Sequence, residues 1–597
     1  MIYTSTRNHL AAFGIALAIG LIYSSHHFFV PYVLPQNVSY HPLTAASYLD
    51  EGTFYGLRAN AVYHGDWRAG DISLAENLDA PAILSIVNPF ILGGLGILAG
   101  SFERGIILSD FIFPVLIFLL VYALAYALTG KKKLSLLSAL IFIFAPKIGL
   151  GIPPVSGVHI QEFMRLVFPF FSPDSPLHFT DFEEPKITFP FVAAFLLLAV
   201  QACKRNTRIW YASAGIAFGL LFYTYLYDWA SMLVAMLVLA GLYRWSAEDK
   251  ERSRGVLMII GVGFAVSSFH WLNMWQAFSL PQIDELAART GREISHAIRF
   301  ASVWKTYVRN IVLIAGLAWV MRRSASTMRP ALYLLIALAS TYFFTVNAQV
   351  LIGFNIQPDH WYRTQYIVVT LIWLVFISYG LDRIRMRWSP RGIAAWCVAT
   401  SFIIGYILTA HGYGQYLYSA MAAEQFTISR EREEAFAWLN AKTPPHSVVA
   451  TLSSDTNRAL LLHTHNRIFI PNGLNTIASD REIWDRLFQA AMMLDLDANE
   501  FDRMIRGNDS AYYLFSGQFT DHSFGSGWLR AFPEALIEEK IRAYASYEAS
   551  DTGVSPYLLD YVLVDAHAKL LGAKERALTG RFEKVYDNSA ITVYKRL

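Results

Sequence analysis

The stretch Ser47–Asp71, SYLDEGTFYGLRANAVYHGDWRAGD, sets Asp50, Glu51, Arg58, His64, Asp66, Arg68 and Asp71 among aromatic side chains. It follows an apolar run, and from there to about residue 410 the chain reads as apolar segments joined by short connectors. Charges beside hydrocarbon are costly unless they pair or act, so a carboxylate-rich loop in such surroundings needs a chemical reason. Asp50 and Glu51 suit a general base that deprotonates an acceptor hydroxyl, or metal ligands beside a phosphate leaving group. The competing reading is a pair of solvated loop acids. Flanking Tyr48, Phe54 and Tyr55 point to a partly enclosed site instead.

Composition bounds the class. The 597 residues are 54% apolar, 15% aromatic and only 16% charged, with a mean hydropathy of +0.35. Soluble chains are about 25% charged, so this is a mainly α, polytopic membrane protein with a soluble part. A net charge of +3 gives no reason to expect a nucleic-acid partner. Cys203 and Cys397 form no zinc spacing or disulfide framework. The first apolar run is too long for a signal-peptide core and reads as an uncleaved span.

At about 20 apolar residues per span, about eleven transmembrane helices are expected. They centre on 10–29, 108–128, 134–150, 187–202, 209–225, 229–243, 256–277, 307–321, 331–346, 366–381 and 392–410. The stretch 82–100, with Asn88-Pro89 and repeated glycines, reads as a re-entrant or interfacial helix. Alternate connectors are basic: Lys131 to Lys133; Lys204, Arg205 and Arg208; Arg244 to Arg254; Arg322 to Arg329; Arg383 to Arg391. By the positive-inside rule these are cytoplasmic, as is the N-terminus. The longer connectors 34–107, 151–186, 279–306 and 347–365 then lie outside, and their His, Trp, Tyr, acidic and Arg content makes the outer face the functional one. Residues 1–424 form the transmembrane module and 425–597 an extracytoplasmic α/β domain. In that domain 430–440 and 480–494 read as helices, and 447–452, 467–470, 511–515, 560–564, 582–586 and 591–594 as strands.

Further candidates sit in the outer connectors. Arg58 suits a phosphate through its planar donor fork, or equally a bond to Asp50 or Glu51 that holds the loop together. Arg165, in the apolar context Phe163-Met164-Arg165-Leu166-Val167, needs a specific partner, whereas Lys186 before a span reads as snorkelling to the interface. In Gln357-Pro358-Asp359-His360-Trp361-Tyr362-Arg363, the Arg363 guanidinium and His360 suit a lipid-linked phosphate, with Tyr362 against sugar or lipid. The alternative is an aromatic belt with a snorkelling arginine. Asp66, Asp228 and His159 are reserve candidates. Asp71 reads as a turn residue beside Gly70, and Tyr223 to Trp229 as an aromatic belt. No nucleotide-binding loop, serine-hydrolase elbow or zinc-protease motif occurs.

This pattern resembles the GT-C superfamily of polytopic glycosyltransferases. The resemblance rests on the architecture, on acids in the first outer loop (Asp50-Glu51) and on the closing segments Asp560-Tyr561-Val562-Leu563-Val564, Phe582-Glu583-Lys584-Val585-Tyr586 and Ile591-Thr592-Val593-Tyr594. It implies a polyprenyl-phosphate sugar donor and inverting displacement at the sugar carbon, with Asp50 as base and Glu51 as partner or substitute. The acceptor would be an extracytoplasmic envelope glycan, lipid A or glycolipid, at a bacterial inner membrane. The WWDYG signature of oligosaccharyltransferases is missing. A divalent cation is required by no motif; if one binds, Asp50 and Glu51 are its ligands. The alternatives are a ligase moving a whole glycan from polyprenyl diphosphate, and a non-enzymatic lipid or solute transporter.

Overall fold

The computed structural model describes residues 9–45, 54–150, 158–171, 177–180, 185–246, 248–300, 303–383, 390–519, 531–548 and 556–597. Asp50 and Glu51, the first-loop acids, lie outside the described residues, as does the His159 side chain.

Inside hydrocarbon each backbone N–H and C=O must bond within its own segment, so the apolar runs fold as helices. In chain order these are α1 (Leu10–Ser24), α2 (His26–Val33), α3 (Gly56–Tyr63), α4 (Val87–Ala99), α5 (Phe102–Thr129), α6 (Lys132–Phe144), α7 (Val158–Val167), α8 (Thr188–Arg205) and α9 (Arg208–Leu221). There follow α10 (Leu226–Gly241), α11 (Lys250–Val266), α12 (Ser268–Phe278), α13 (Ile283–Arg289), α14 (Trp304–Arg323), α15 (Arg329–Thr345), α16 (Gln365–Arg383) and α17 (Pro390–Met421). Among the described residues, five stretches are long and apolar enough to cross a membrane: Leu10–Val33, Phe102–Thr129, Thr188–Arg205, Leu226–Trp245 and Pro358–Arg383. The pair α11 and α12, bent by 57° at its junction, makes a sixth if counted as one span. Other expected spans coincide with shorter helices, such as α6 at 13 residues and α9 at 14. The run expected over 134–150 stops at Phe144, because Pro146 cannot extend a helix that must bond backward. With 13 residues, α4 reaches about 20 Å, short of a hydrocarbon core of about 30 Å.

Close backbone approach fixes the start of the bundle. A Cβ on Gly105 of α5 would stand 2.4 Å from the Gly96 nitrogen of α4, and one on Gly93 would meet Ala59 O of α3 at 2.9 Å. Small residues therefore let α4 lie between the first loop and α5.

Beyond α17 the chain builds a five-stranded sheet from β5 (Val448–Ala450), β6 (Arg467–Ile468), β7 (Tyr561–Asp565), β8 (Phe582–Asp587) and β9 (Ile591–Arg596), in the order β6-β5-β7-β9-β8. Strands β6, β5 and β7 run parallel, while β9 is antiparallel to both β7 and β8. Every side chain of β7 is buried, as a central strand covered on both faces requires. The helices α18 (Arg430–Lys442), α19 (Ser454–His463) and α20 (Asp480–Met493) start at Ser429, Ser453 and Ser479, whose hydroxyls accept the N–H of the third helical residue. Residues 511–515, read from their β-forming side chains as a strand, are instead part of the helix Asn508–Phe515. The rings of Tyr513 and Phe515 are buried in the same core as the sheet, and that packing overrides their local propensity.

The first long connector, 34–107, belongs to that core. Leu57, Ile72, Leu74 and Leu92 share one buried apolar cluster with Val449, Ile468 and Val562. A short strand β1 (Val38–Tyr40) pairs antiparallel with β4 (Thr427–Ser429), and β2 (Arg292–Ile294) likewise with β3 (Phe354–Ile356). Thr44 Oγ1 donates to Gln425 O at 2.7 Å, and Asn475 Nδ2 donates to Phe54 O at 3.1 Å. The segment carrying Asp50 and Glu51 is thus anchored at both ends to the C-terminal part. Arg467 completes the tie, donating to Ile72 O and to Asp66 Oδ2, both at 2.5 Å. Asp71 accepts from Ser73 N and Leu74 N through one oxygen, and from Asn77, Thr476 Oγ1 and Ile477 N through the other.

Both side chains of the Asp66–Arg467 pair are buried, at 8% and 4% exposure. Removing one member leaves the other charge without a partner, at a cost of about 3–5 kcal/mol. Arg467→Met should lower the thermal unfolding temperature of the detergent-solubilised protein markedly. Adding Asp66→Asn should recover part of the loss. Equal losses in single and double variants would show that the pair is not the tie.

Candidate functional site

Four elements converge where α6, α7, α10 and α16 begin or end. Pro146 stops α6 and leaves Lys147 on the turn that follows. Its Nζ lies 5.7 Å from the centre of the Tyr366 ring, in the first turn of α16. The His178 ring stands edge-on to the same tyrosine at 5.4 Å. Lys147, Arg363 and Arg165 are the charges whose field reaches His178, and its buried Nε2 has no hydrogen-bond partner. Burial first, then these three cations, hold the His178 imidazole well below its usual value, so it is neutral near pH 7.

Arg363 is placed by the short 3-10 turn Pro358–Tyr362, which starts after Gln357. Gln357 has φ +35°, the left-handed region that a side chain seldom adopts, so the turn is held by its surroundings. Trp361 is buried and donates to Asn355 Oδ1 at 2.9 Å, and His360 stacks on Tyr227 with ring centres 5.3 Å apart. Arg363 Nη1 donates to Tyr225 Oη at 3.1 Å, and its guanidinium faces that ring at 5.9 Å. Asp228, in the first turn of α10, is buried with Arg363 as the charged group acting on it. Tyr362 packs against Tyr366 at 5.6 Å.

On α7, Arg165 reaches back one turn to Glu162 Oε1 at 3.1 Å, with half its side chain exposed and Glu162 buried. Among the described residues Lys147 forms no ion pair with a carboxylate. Among the described residues the neighbourhood brings Lys147, Arg165 and Arg363 together with Glu162 and Asp228, lined by the aromatic rings of Tyr225, Tyr227, Tyr362 and Tyr366. Such an arrangement suits an anion with an apolar continuation.

Of the residues singled out by sequence, Arg165, His360, Tyr362, Arg363 and Asp228 fall in or beside this neighbourhood. Arg58 does not: it is buried in α3, donating to Ala69 O at 3.3 Å, and the bond to Asp50 or Glu51 expected of it falls on residues outside those described. Asp66 faces Arg467, away from the cationic group. Lys186 does not snorkel; it is buried with Nζ 2.6 Å from Asp110 Oδ1, while His27 Nε2 lies 2.7 Å from the other oxygen. Lys147 and His178 were the residues missed. Lys147 lay inside an expected span, and its signal was a cation directly after a proline in an apolar run.

The fold has solved neighbours. ArnT from Cupriavidus metallidurans bound to undecaprenyl phosphate aligns with a TM-score of 0.46 and 13% identity, over 100% of this chain and 98% of that one. The archaeal oligosaccharyltransferase AglB from Archaeoglobus fulgidus, in complex with an inhibitory peptide and a dolichol-phosphate, aligns at 0.40 and 13%, over 94% of this chain and 70% of that one. No residue is carried across from them. No protein-family model matches the chain, and a search of curated proteins finds no significant match.

The neutral His178 gives a pH signature. An unfolded chain takes up a proton below about pH 6.5 that the folded site refuses, so stability falls as pH drops through that value. His64, His446 and His463, also held low by partial burial of their rings, add to the same trend. His178→Gln should make the fall in unfolding temperature between about pH 7 and pH 5 shallower than in the wild type. Parallel profiles would mean that His178 is not held neutral.

Proposed function

We propose that the chain is a membrane glycosyltransferase that moves a sugar from a polyprenyl-phosphate donor to an extracytoplasmic acceptor by inverting displacement. The observation that carries this reading is the convergence of Lys147, Arg165 and Arg363 around neutral His178 and Tyr366 at the ends of apolar helices. A lipid phosphate leaving group gains negative charge as the sugar bond breaks, and preorganised cations stabilise that charge. Lys147 contributes directly; among the described residues no carboxylate pairs with it. Arg363 is aimed by Tyr225, and Arg165 is steadied by Glu162. The polyprenyl tail follows the apolar helix surfaces past Tyr362.

On the acceptor side, Asp50 takes the proton from the attacking hydroxyl and Glu51 supports or replaces it. Their segment is bracketed by Thr44 and Phe54, both bonded to the C-terminal part. A divalent ion is required by no motif; if one binds, Asp50 and Glu51 hold it.

The wider organisation follows the sequence reading. About eleven spans place the N-terminus in the cytoplasm of a bacterial inner membrane, and 1–424 form the transmembrane module. The α/β domain of 425–597 lies outside, where it holds the first loop. An envelope glycan, lipid A or a glycolipid is the acceptor.

Transfer from a radiolabelled polyprenyl-phosphate sugar in proteoliposomes tests the scheme. Asp50→Asn should lower the rate about 10²–10⁴-fold. Lys147→Ala and Arg363→Ala should each lower it about 10²-fold and weaken polyprenyl-phosphate binding, with Arg165→Ala milder. Full transfer by Asp50→Asn removes it from the base role. Passage of intact donor across the bilayer, without release of polyprenyl phosphate, would favour a transporter.

A further inference from the structure

Away from the cationic group, His41, Glu103 and His463 bring one ligand-type atom each within 4.8 Å of the others. They come from three distant parts of the chain: the residue after β1, the first turn of α5 and the last residue of α19. His41 Nδ1 lies 2.6 Å from Glu103 Oε1, and its Nε2 lies 3.7 Å from Glu433 Oε1 on α18. The ring centres of His41 and His463 are 5.1 Å apart. His41 is only 8% exposed. Its Nε2 and the Nε2 of His463 are both buried without a hydrogen-bond partner. A buried imidazole nitrogen left unbonded is costly, and here each of two neighbouring rings carries one.

We propose that His41, Glu103 and His463 form a structural site for a divalent transition ion of the zinc class, with Glu433 beside it. Two imidazoles and a carboxylate make a donor set suited to zinc. Bonds of about 2.0–2.1 Å need ligand atoms about 3.3 Å apart, within side-chain adjustment of the observed spacing. Glu103 and Glu433 supply negative charge. Arg432, a nearby cation, is engaged with Asp455 at 2.9 Å. The fully buried His–acid group, His26, His27 and Asp110, lacks this character, because the Lys186 ammonium already sits on Asp110. A metal at His41, Glu103 and His463 would cross-link the first outer loop and α5 to the C-terminal part, independently of the transfer chemistry.

Metal analysis of the full-length protein, purified in detergent and passed through a desalting column after zinc loading, tests the site. The wild type should retain one zinc per chain more than His463→Asn, and chelation should lower the unfolding temperature of the wild type but not of His463→Asn. Equal zinc content, or an equal thermal shift on chelation, overturns the proposal. The Asp50→Asn/Glu51→Gln variant should keep this zinc; its loss there would assign the metal to the acid pair and overturn the site. If His463→Asn does not fold, cobalt(II) added to metal-free wild type reads the same question. Intense tetrahedral absorption bands support the site, and only weak octahedral bands overturn it.

Discussion

The buried bond between Arg467 and the first long connector is the constraint on which the rest of the structure depends. A loop of acids, arginines and aromatics has little reason to hold one shape by itself. Here it is written into the core of the C-terminal sheet. Arg467 reaches Asp66 and the Ile72 carbonyl, and Asp71 gathers hydrogen bonds from both parts. Asp66, a reserve candidate acid by sequence, is thus taken up by Arg467. Asp50 and Glu51 are left as the acids of that loop on which the proposed chemistry rests.

The same economy shapes the cationic group. A positive charge among apolar helices is costly unless something answers it. Lys131 and Lys186 are answered by Asp382 and Asp110. Lys147, Arg363 and Arg165 stand beside tyrosine rings, a tyrosine hydroxyl and Glu162. Under the proposed function, that gathering of positive charge beside neutral His178 is where a phosphate-bearing lipid would bind. The left-handed Gln357 and the proline after it turn the chain so that Arg363 meets Tyr225.

Much of this was legible in sequence where the signal is local. The helices 430–442 and 480–493 and the strands at β5, β7, β8 and β9 follow from capping serines and short apolar runs. His360, Tyr362 and Arg363 stood out because they are adjacent in the chain. What escaped depends on partners far away. Lys186 pairs with Asp110, 76 residues earlier, and Asp66 with Arg467, 401 residues later, distances at which a single sequence gives no pairing signal. Lys147 was hidden by an expected span that the structure ends three residues before it. Residues 511–515 fold as helix because tertiary burial of their aromatic rings outweighs strand propensity.

In the proposed function, Lys147, Arg165 and Arg363 hold the phosphate of a lipid donor. Cryo-electron microscopy of the protein in nanodiscs with undecaprenyl phosphate tests this most directly. Phosphate density is expected within hydrogen-bond distance of Lys147 Nζ and the Arg363 guanidinium, with the polyprenyl chain leaving past Tyr362 along the helices. Phosphate density seated elsewhere, with Lys147 and Arg363 unchanged, would contradict it.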